Sequence, residues 1–195
     1  MIKILHRVNT LNELENVEVS YGVEVDIHAF GDRLVVHHNA FSDGIDLHKW
    51  LLICRNRFVI FNIKEEGIEL RVRDMAIKAG IMNFFLLDLS FPALVKISRK
   101  GESRIAIRVS EYESIKSALL LQTQIEWVWL DCFNGFPLTI EESDDLNNSA
   151  LRICLVSPEL HGHPRGKKEI YSFQEKIQLF DLKVDAVCTK FPELW

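Results

Sequence analysis

Cysteine is sparse and dispersed. Cys54, Cys132, Cys154 and Cys188 lie far apart, and none takes the Cys-x-x-Cys or Cys-His spacing of a zinc site. Three of the four sit in apolar, strand-like runs, so they read as buried free thiols of a reducing compartment. The opening Met1-Ile2-Lys3-Ile4-Leu5 is much too short for the apolar region of a signal peptide, and no run approaches the length of a membrane span. The cytoplasm is the expected location. Clusters of Lys and Arg are missing, and a net charge of −5 leaves no basic footprint for nucleic acid. No glycine-rich turn follows an apolar run as a dinucleotide fold needs, and none follows the last strands as the phosphate loop of a sugar-phosphate barrel would. What remains is ordinary in bulk. The 195 residues, 48% hydrophobic and 26% charged, fit one globular domain over residues 1–195 with a single core.

Apolar runs alternate with helical periodicities along the whole chain. Strands are expected at Ile2–Leu5, Val23–His28, Arg57–Lys64, Met82–Asp88, Ser103–Val109, Ile125–Asp131, Leu151–Ser157 and Val184–Val187. Helices are expected between them. Thr10 and Glu13 have the spacing of a capping box for a brief helix to Val17. Ser42-Asp43 can cap a helix to Arg55 that buries Ile45, Leu47, Trp50, Leu51 and Leu52. Further helices follow at 68–80, 91–100, 111–122, 140–150 and 167–180, two of them ended by Gly80 and Gly101. Near-continuous apolar strands alternating with helices argue for a parallel α/β fold. About eight units predict a compact (β/α)8 TIM barrel with short helices and a last helix truncated after Pro192. An open doubly wound sheet is the structural alternative.

The stretch Tyr21–Asn39 concentrates the chemistry. Glu24, Asp26 and His28 alternate with Val23, Val25 and Ile27, which puts both carboxylates on one face of a strand. After a turn at Phe30–Arg33, Leu34-Val35-Val36 leads to His37 and His38, of which His37 is expected on the opposite side, at the surface. His6, Glu24, Asp26, Lys64, Asp88, Arg108, Asp131 and Glu159 all fall at or just past the C-terminal ends of expected strands, where barrel enzymes hold their sites. On spacing alone Glu24 and Asp26 fit the polar face of a half-exposed strand as well as a metal pair, and a metal-free salt-bridge network with His6, Arg7 and Lys64 is a third reading. In the run 157–166, Glu159, His161, His163 and Arg165 could form a substrate loop or an ordinary polar connector. Trp127 and Trp129 read as core packing.

Five segments resemble, in order, the motifs of glycerophosphodiester phosphodiesterases: His6-Arg7, Glu24-Val25-Asp26, Val35-Val36-His37-His38-Asn39, Asn62-Ile63-Lys64, and the closing run from Val184 to Pro192. The wider group includes the phosphatidylinositol-specific phospholipases C. The resemblance implies a barrel that cleaves a phosphodiester, with His6 and His38 as general acid and base and Arg7 and Lys64 neutralising the phosphate. It also implies Mg²⁺ or Ca²⁺ held by Glu24, Asp26 and, in place of the family's usual Glu, Asn62. Two positions depart from the pattern, since Asn39 stands for an Asp and Asn62 for a Glu. An amide oxygen still binds a hard cation but brings no charge, so a weaker metal site is expected. Only Asn39-Ala40-Phe41-Ser42 separates the second histidine from the next helix, without the family's usual insertion. The implied substrate is a small-molecule or polysaccharide-derived phosphodiester. The alternative is a catalytically reduced barrel that binds a phosphate or phosphosugar.

Overall fold

The computed structural model describes residues 1–54, 56–162 and 167–195. Arg55, His163 and Arg165 therefore lie outside the described residues. Strands and helices alternate in a mixed α/β fold, with seven helices among the described residues. The chain divides into two compact units, residues 4–97 and residues 1–3 together with 98–195.

The first unit is organised around one central strand. β1 (Ile2–Leu5) pairs in parallel through Ile4 and Leu5 with Gly22 and Val23. α1 (Leu11–Asn16) carries the expected capping box, with Thr10 and Glu13 satisfying each other's backbone N–H groups. β2 (Gly22–Phe30) is buried from Gly22 to His28. Gly22 is required there, because a Cβ would stand 2.9 Å from the Phe58 carbonyl. β3 (Arg33–Val36) folds back antiparallel on β2, and β4 (Ile45–Asp46) adds antiparallel to β3.

The short β4 delays the next helix. α2 (Leu47–Ile53) is capped by Asp46, whose carboxylate accepts the His48 N–H, and not by Ser42-Asp43 as the sequence predicts. The reason is the ladder: Ile45 and Asp46 pair with Val36 and Val35 before the chain can coil. Gly44 permits that approach, since a Cβ would lie 2.4 Å from the Val36 carbonyl. Leu52 consequently faces solvent, while Leu47, Trp50 and Leu51 are buried. β5 (Val59–Ile63) pairs in parallel with β2 and with β6 (Phe84–Leu87), which flank α3 (Glu69–Lys78) and precede α4 (Phe91–Ser98). The odd-numbered apolar residues of β2, with Phe61, Trp50 and Val72, form the core under the helices. The even-numbered residues of β2 point to the other face.

The second unit is a parallel run in the order β7–β8–β9–β10. β7 (Ala106–Val109), β8 (Trp127–Leu130), β9 (Arg152–Val156) and β10 (Ala186–Thr189) carry α5 (Ile115–Leu121), α6 (Ile140–Asn147) and α7 (Lys167–Leu179) between them. α5 begins at a Ser114 cap, later than expected, because Ser110 and Glu113 first close a tight backbone turn. A 3₁₀ turn at Pro158–His161 follows β9, and another at Pro192–Leu194 ends the chain. All four cysteines are free and buried, and no described helix is long and apolar enough to cross a membrane.

Candidate functional site

Burial decides between two readings of the acidic pair on β2. Glu24 is 1% exposed and Asp26 0%, so neither lies on a solvent face. Buried carboxylates need compensation, and the first unit supplies it from three segments. Arg7, directly after β1, has a left-handed backbone with φ 57°, and its N–H donates to Glu24 Oε2 at 2.7 Å. His6 Nε2 stands 3.8 Å from the same oxygen. Asn9 binds Asp26 twice, its Nδ2 donating to Oδ2 at 2.8 Å and its Oδ1 accepting the Asp26 backbone N–H at 3.0 Å.

The other partners come from β3 and β5. His38 Nδ1 lies 3.0 Å from Asp26 Oδ2, and because a carboxylate oxygen only accepts, Nδ1 carries the proton and Nε2 faces away from it. Lys64 Nζ is 2.9 Å from Asp26 Oδ1, and Arg7 Nε is 3.8 Å from Oδ2. Register explains the convergence, because Asp26 pairs with Asn62 across the β2–β5 ladder and the Lys64 N–H caps the Ile27 carbonyl. His6, Arg7, Glu24, Asp26, His38, Asn62 and Lys64 are thus brought together within one unit.

The two carboxylates are compensated unequally. Burial and the neighbouring Asp26 push the Glu24 carboxyl up to about 7, against the opposing effects of Asn62, the Arg7 N–H and Lys64. Burial would raise Asp26 too, but hydrogen bonds from Asn9 and Lys64 and the charges of Lys64 and His38 hold it below its usual value. Glu24 and Asn62 are the residues whose oxygens could take a cation. Asn62 Nδ2 donates to Glu24 Oε1 at 3.0 Å, and its own Oδ1 is buried without a hydrogen-bond partner. These are hard oxygen donors of the kind Mg²⁺ and Ca²⁺ take. Asp26 Oδ2 is engaged by Asn9 and His38, whereas Oδ1 faces Lys64 Nζ as an ion pair and has no other hydrogen-bond partner, and no three His, Cys, Asp or Glu among the described residues form a ligand cluster.

A raised carboxyl destabilises the fold as pH increases. Glu24 is protonated in the folded chain below about 7 but ionises near 4.5 when unfolded, so its penalty develops between those values and is complete above 7. Glu24→Gln is therefore expected to be more stable than wild type at pH 8 in EDTA. The gap should close on lowering the pH to 5, with a limiting slope of about 1.4 kcal/mol per pH unit. Thermal unfolding across that range checks it; a constant difference, or a less stable variant at pH 8, contradicts it. Asn62 can rotate its amide to give Oδ1 to the new Gln side chain.

No protein-family model matches the chain, and no curated protein sequence matches it. Solved structures do. A protein from Agrobacterium tumefaciens strain C58 named as a glycerophosphoryl diester phosphodiesterase superposes with a TM-score of 0.66 at 13% identity, over 100% of this chain and 95% of its own. A glycerophosphodiester phosphodiesterase from the same strain gives a TM-score of 0.64 at 14% identity, over 100% and 99%. The chain has the fold of the glycerophosphodiester phosphodiesterases. At this identity the likeness speaks for the fold.

Other residues singled out in the sequence are distributed differently within that fold. His37 is half-buried on the face of Asp26 and His28, not on the outer surface, because its N–H continues the ladder to the Asp26 carbonyl. Its ring meets that of buried His28 edge-on at 6.2 Å. In the second unit, Glu159 accepts from the Thr189 hydroxyl at 2.6 Å, the Lys190 N–H at 2.9 Å and the Ser157 hydroxyl, so its carboxylate pins the end of β10. His161 contacts Asp131. Trp127 and Trp129 are buried, as expected. Asp88 ends β6 with φ 62° and is exposed.

Two residues that organise the site escaped the sequence reading. Asn9, the residue before the Thr10 cap, is the bidentate partner of Asp26. Trp50 looked like helix packing, yet its indole N–H also donates to the Val8 carbonyl at 3.1 Å and fixes the segment carrying Arg7 and Asn9. Contacts 17 and 42 residues apart leave no local spacing to recognise.

Proposed function

We propose that this protein is a phosphoric diester hydrolase, with a glycerophosphodiester or a related diester as substrate. The observation that carries the reading is the convergence of two histidines on one buried carboxylate pair, His6 at Glu24 and His38 at Asp26, with Arg7 and Lys64 alongside. Diester cleavage needs positive charge on the nonbridging oxygens, a base for the attacking hydroxyl and an acid for the leaving alkoxide. Arg7 and Lys64 provide the first. Asp26 holds the Nδ1–H of His38 and leaves Nε2 to take the proton of a water or of a neighbouring substrate hydroxyl. His6 returns a proton to the departing oxygen. Glu24 and Asn62, with Asp26, would hold Mg²⁺ or Ca²⁺, which when bound adds charge neutralisation at the phosphate. The full-length fold likeness supports the compact (β/α)8 barrel as the frame, and buried free thiols support a cytoplasmic setting.

A non-hydrolytic phosphate- or phosphosugar-binding barrel is the second reading. It is favoured by the engagement of Asp26 with Lys64 and by the uncharged Asn62 beside Glu24. Hydrolysis of bis(p-nitrophenyl) phosphate and a panel of glycerophosphodiesters, each with Mg²⁺, Ca²⁺ or EDTA, separates the two. Turnover that EDTA suppresses and either cation restores is expected. Saturable phosphate binding with no turnover under any condition would transfer the assignment to the second reading.

A further inference from the structure

The second unit holds a group of titratable and aromatic side chains that the diester chemistry does not use. Asp131, after β8, is 1% exposed, and both of its oxygens are engaged. Oδ2 accepts from Arg108 Nη1, while Oδ1 accepts the Cys132 N–H at 2.9 Å and meets His161 Nε2 in close contact. The carboxylate fixes the tautomer: in the neutral imidazole Nε2 carries the proton toward Asp131, and Nδ1 is the acceptor on the other side of the ring. The His161 ring lies 4.7 Å from that of Phe133, which lies 5.8 Å from that of Tyr112.

These rings stand on a fixed loop. Glu111 accepts the backbone N–H groups of Phe133, Asn134 and Gly135 at 3.1, 2.8 and 3.0 Å. Burial opposes its charge, but those bonds hold its carboxyl below the usual value. Asn134 Nδ2 donates to the Tyr112 hydroxyl at 2.8 Å. Yet Tyr112 remains 73% exposed and Phe133 37%. Aromatic surface held rigid in water, beside an imidazole acceptor aimed by a buried acid, is preorganised for a ligand that is apolar on one face and hydroxylated at its rim. A hydrocarbon would leave His161 Nδ1 unpaired, and the charge of Arg108 is taken up within the protein, since its guanidinium pairs with Asp131 and stands 3.9 Å from Glu113.

We propose that Tyr112, Phe133 and His161 form a binding site for a sugar ring, whose C–H face lies against the two aromatic rings while a hydroxyl donates to His161 Nδ1. Asp131 and Arg108 are positioning residues for that imidazole. The site does not depend on the diesterase reading, and its test is binding.

Saturation-transfer NMR with the methyl pyranosides of glucose, mannose and galactose, together with ¹⁵N spectra of the His161 ring, reads it directly. Transfer from Phe and Tyr protons to sugar C–H protons is expected for at least one glycoside, with a shift of the Nδ1 resonance. Phe133→Ala and His161→Ala should each weaken binding about 2- to 10-fold, and since both side chains reach the surface, the fold should survive. Asp131→Asn should mix the two tautomers in the ¹⁵N spectrum. Absence of transfer to all three glycosides, or transfer unchanged in both alanine variants, overturns the site.

Discussion

His38→Ala is expected to lower turnover of every phosphodiester by ~10²–10⁴-fold, whatever the leaving group. In the proposed mechanism the proton it accepts belongs to the attacking hydroxyl, so the requirement does not change with the alcohol that departs. His6→Ala should behave differently. A nitrophenolate leaves without a proton, whereas a glycerol or sugar alkoxide needs one, so loss of the acid should cost ~10²–10⁴-fold on an alkyl diester and far less on the aryl ester. The double variant should fall little further than His38→Ala alone, because residues acting in one step are not additive. Steady-state rates of the three variants on an aryl and an alkyl diester give the answer. If both single variants stay within about tenfold of wild type on both substrates, the assignment of these histidines fails.

The parts of this fold that were legible in the sequence are those with a local cause. The Thr10–Glu13 capping box sits where its spacing put it, and Gly80 ends α3 with φ 82°. Parallel pairing of the near-continuous apolar run Val59–Ile63 with strands on both sides follows from its composition. Where a local rule competed with pairing, pairing won. Ser42-Asp43 is a sound cap by residue type, but two residues of β4 and the tight passage at Gly44 place the helix start after Asp46.

The candidate site was legible by residue and not by environment. The alternation of Glu24, Asp26 and His28 with Val23, Val25 and Ile27 looks the same whether the polar face meets water or the protein interior. Only the burial of all three polar residues distinguishes the cases. The same alternation misplaced His37, since an antiparallel ladder to Asp26 sets its side and the chain bends before His38. Asn62 shows the limit of reading by type. Its sequence position marks only a lost charge, whereas in the fold its Nδ2 binds Glu24 and its Oδ1 is left without a hydrogen-bond partner.

Lys64→Met is expected to lower the unfolding free energy by roughly 3 kcal/mol at neutral pH, the lower end of the cost of breaking a buried ion pair. Asp26 is 0% exposed and ionised, with Lys64 Nζ 2.9 Å from Oδ1. The lower end applies because the Lys64 side chain keeps 21% of its surface exposed, and because Asn9, His38 and Arg7 still face the other oxygen. The sign with pH follows from the depressed carboxyl of Asp26, which contributes stability above its unfolded value and loses it as pH falls. Without the ammonium the carboxyl rises, so the variant's deficit should shrink on acidification. Adding Asp26→Asn removes the stranded charge at almost constant shape, and the double variant should recover most of the loss at neutral pH. Denaturant unfolding of the four proteins at pH 7 and pH 5 measures the coupling. A cost below about 1 kcal/mol for Lys64→Met, unrelieved by Asp26→Asn, would place the pair among exposed ion pairs. In the proposed function Lys64 also neutralises the phosphate, so phosphate affinity should not recover in the double variant. Recovered stability with unrecovered phosphate binding would separate the two roles of this one lysine.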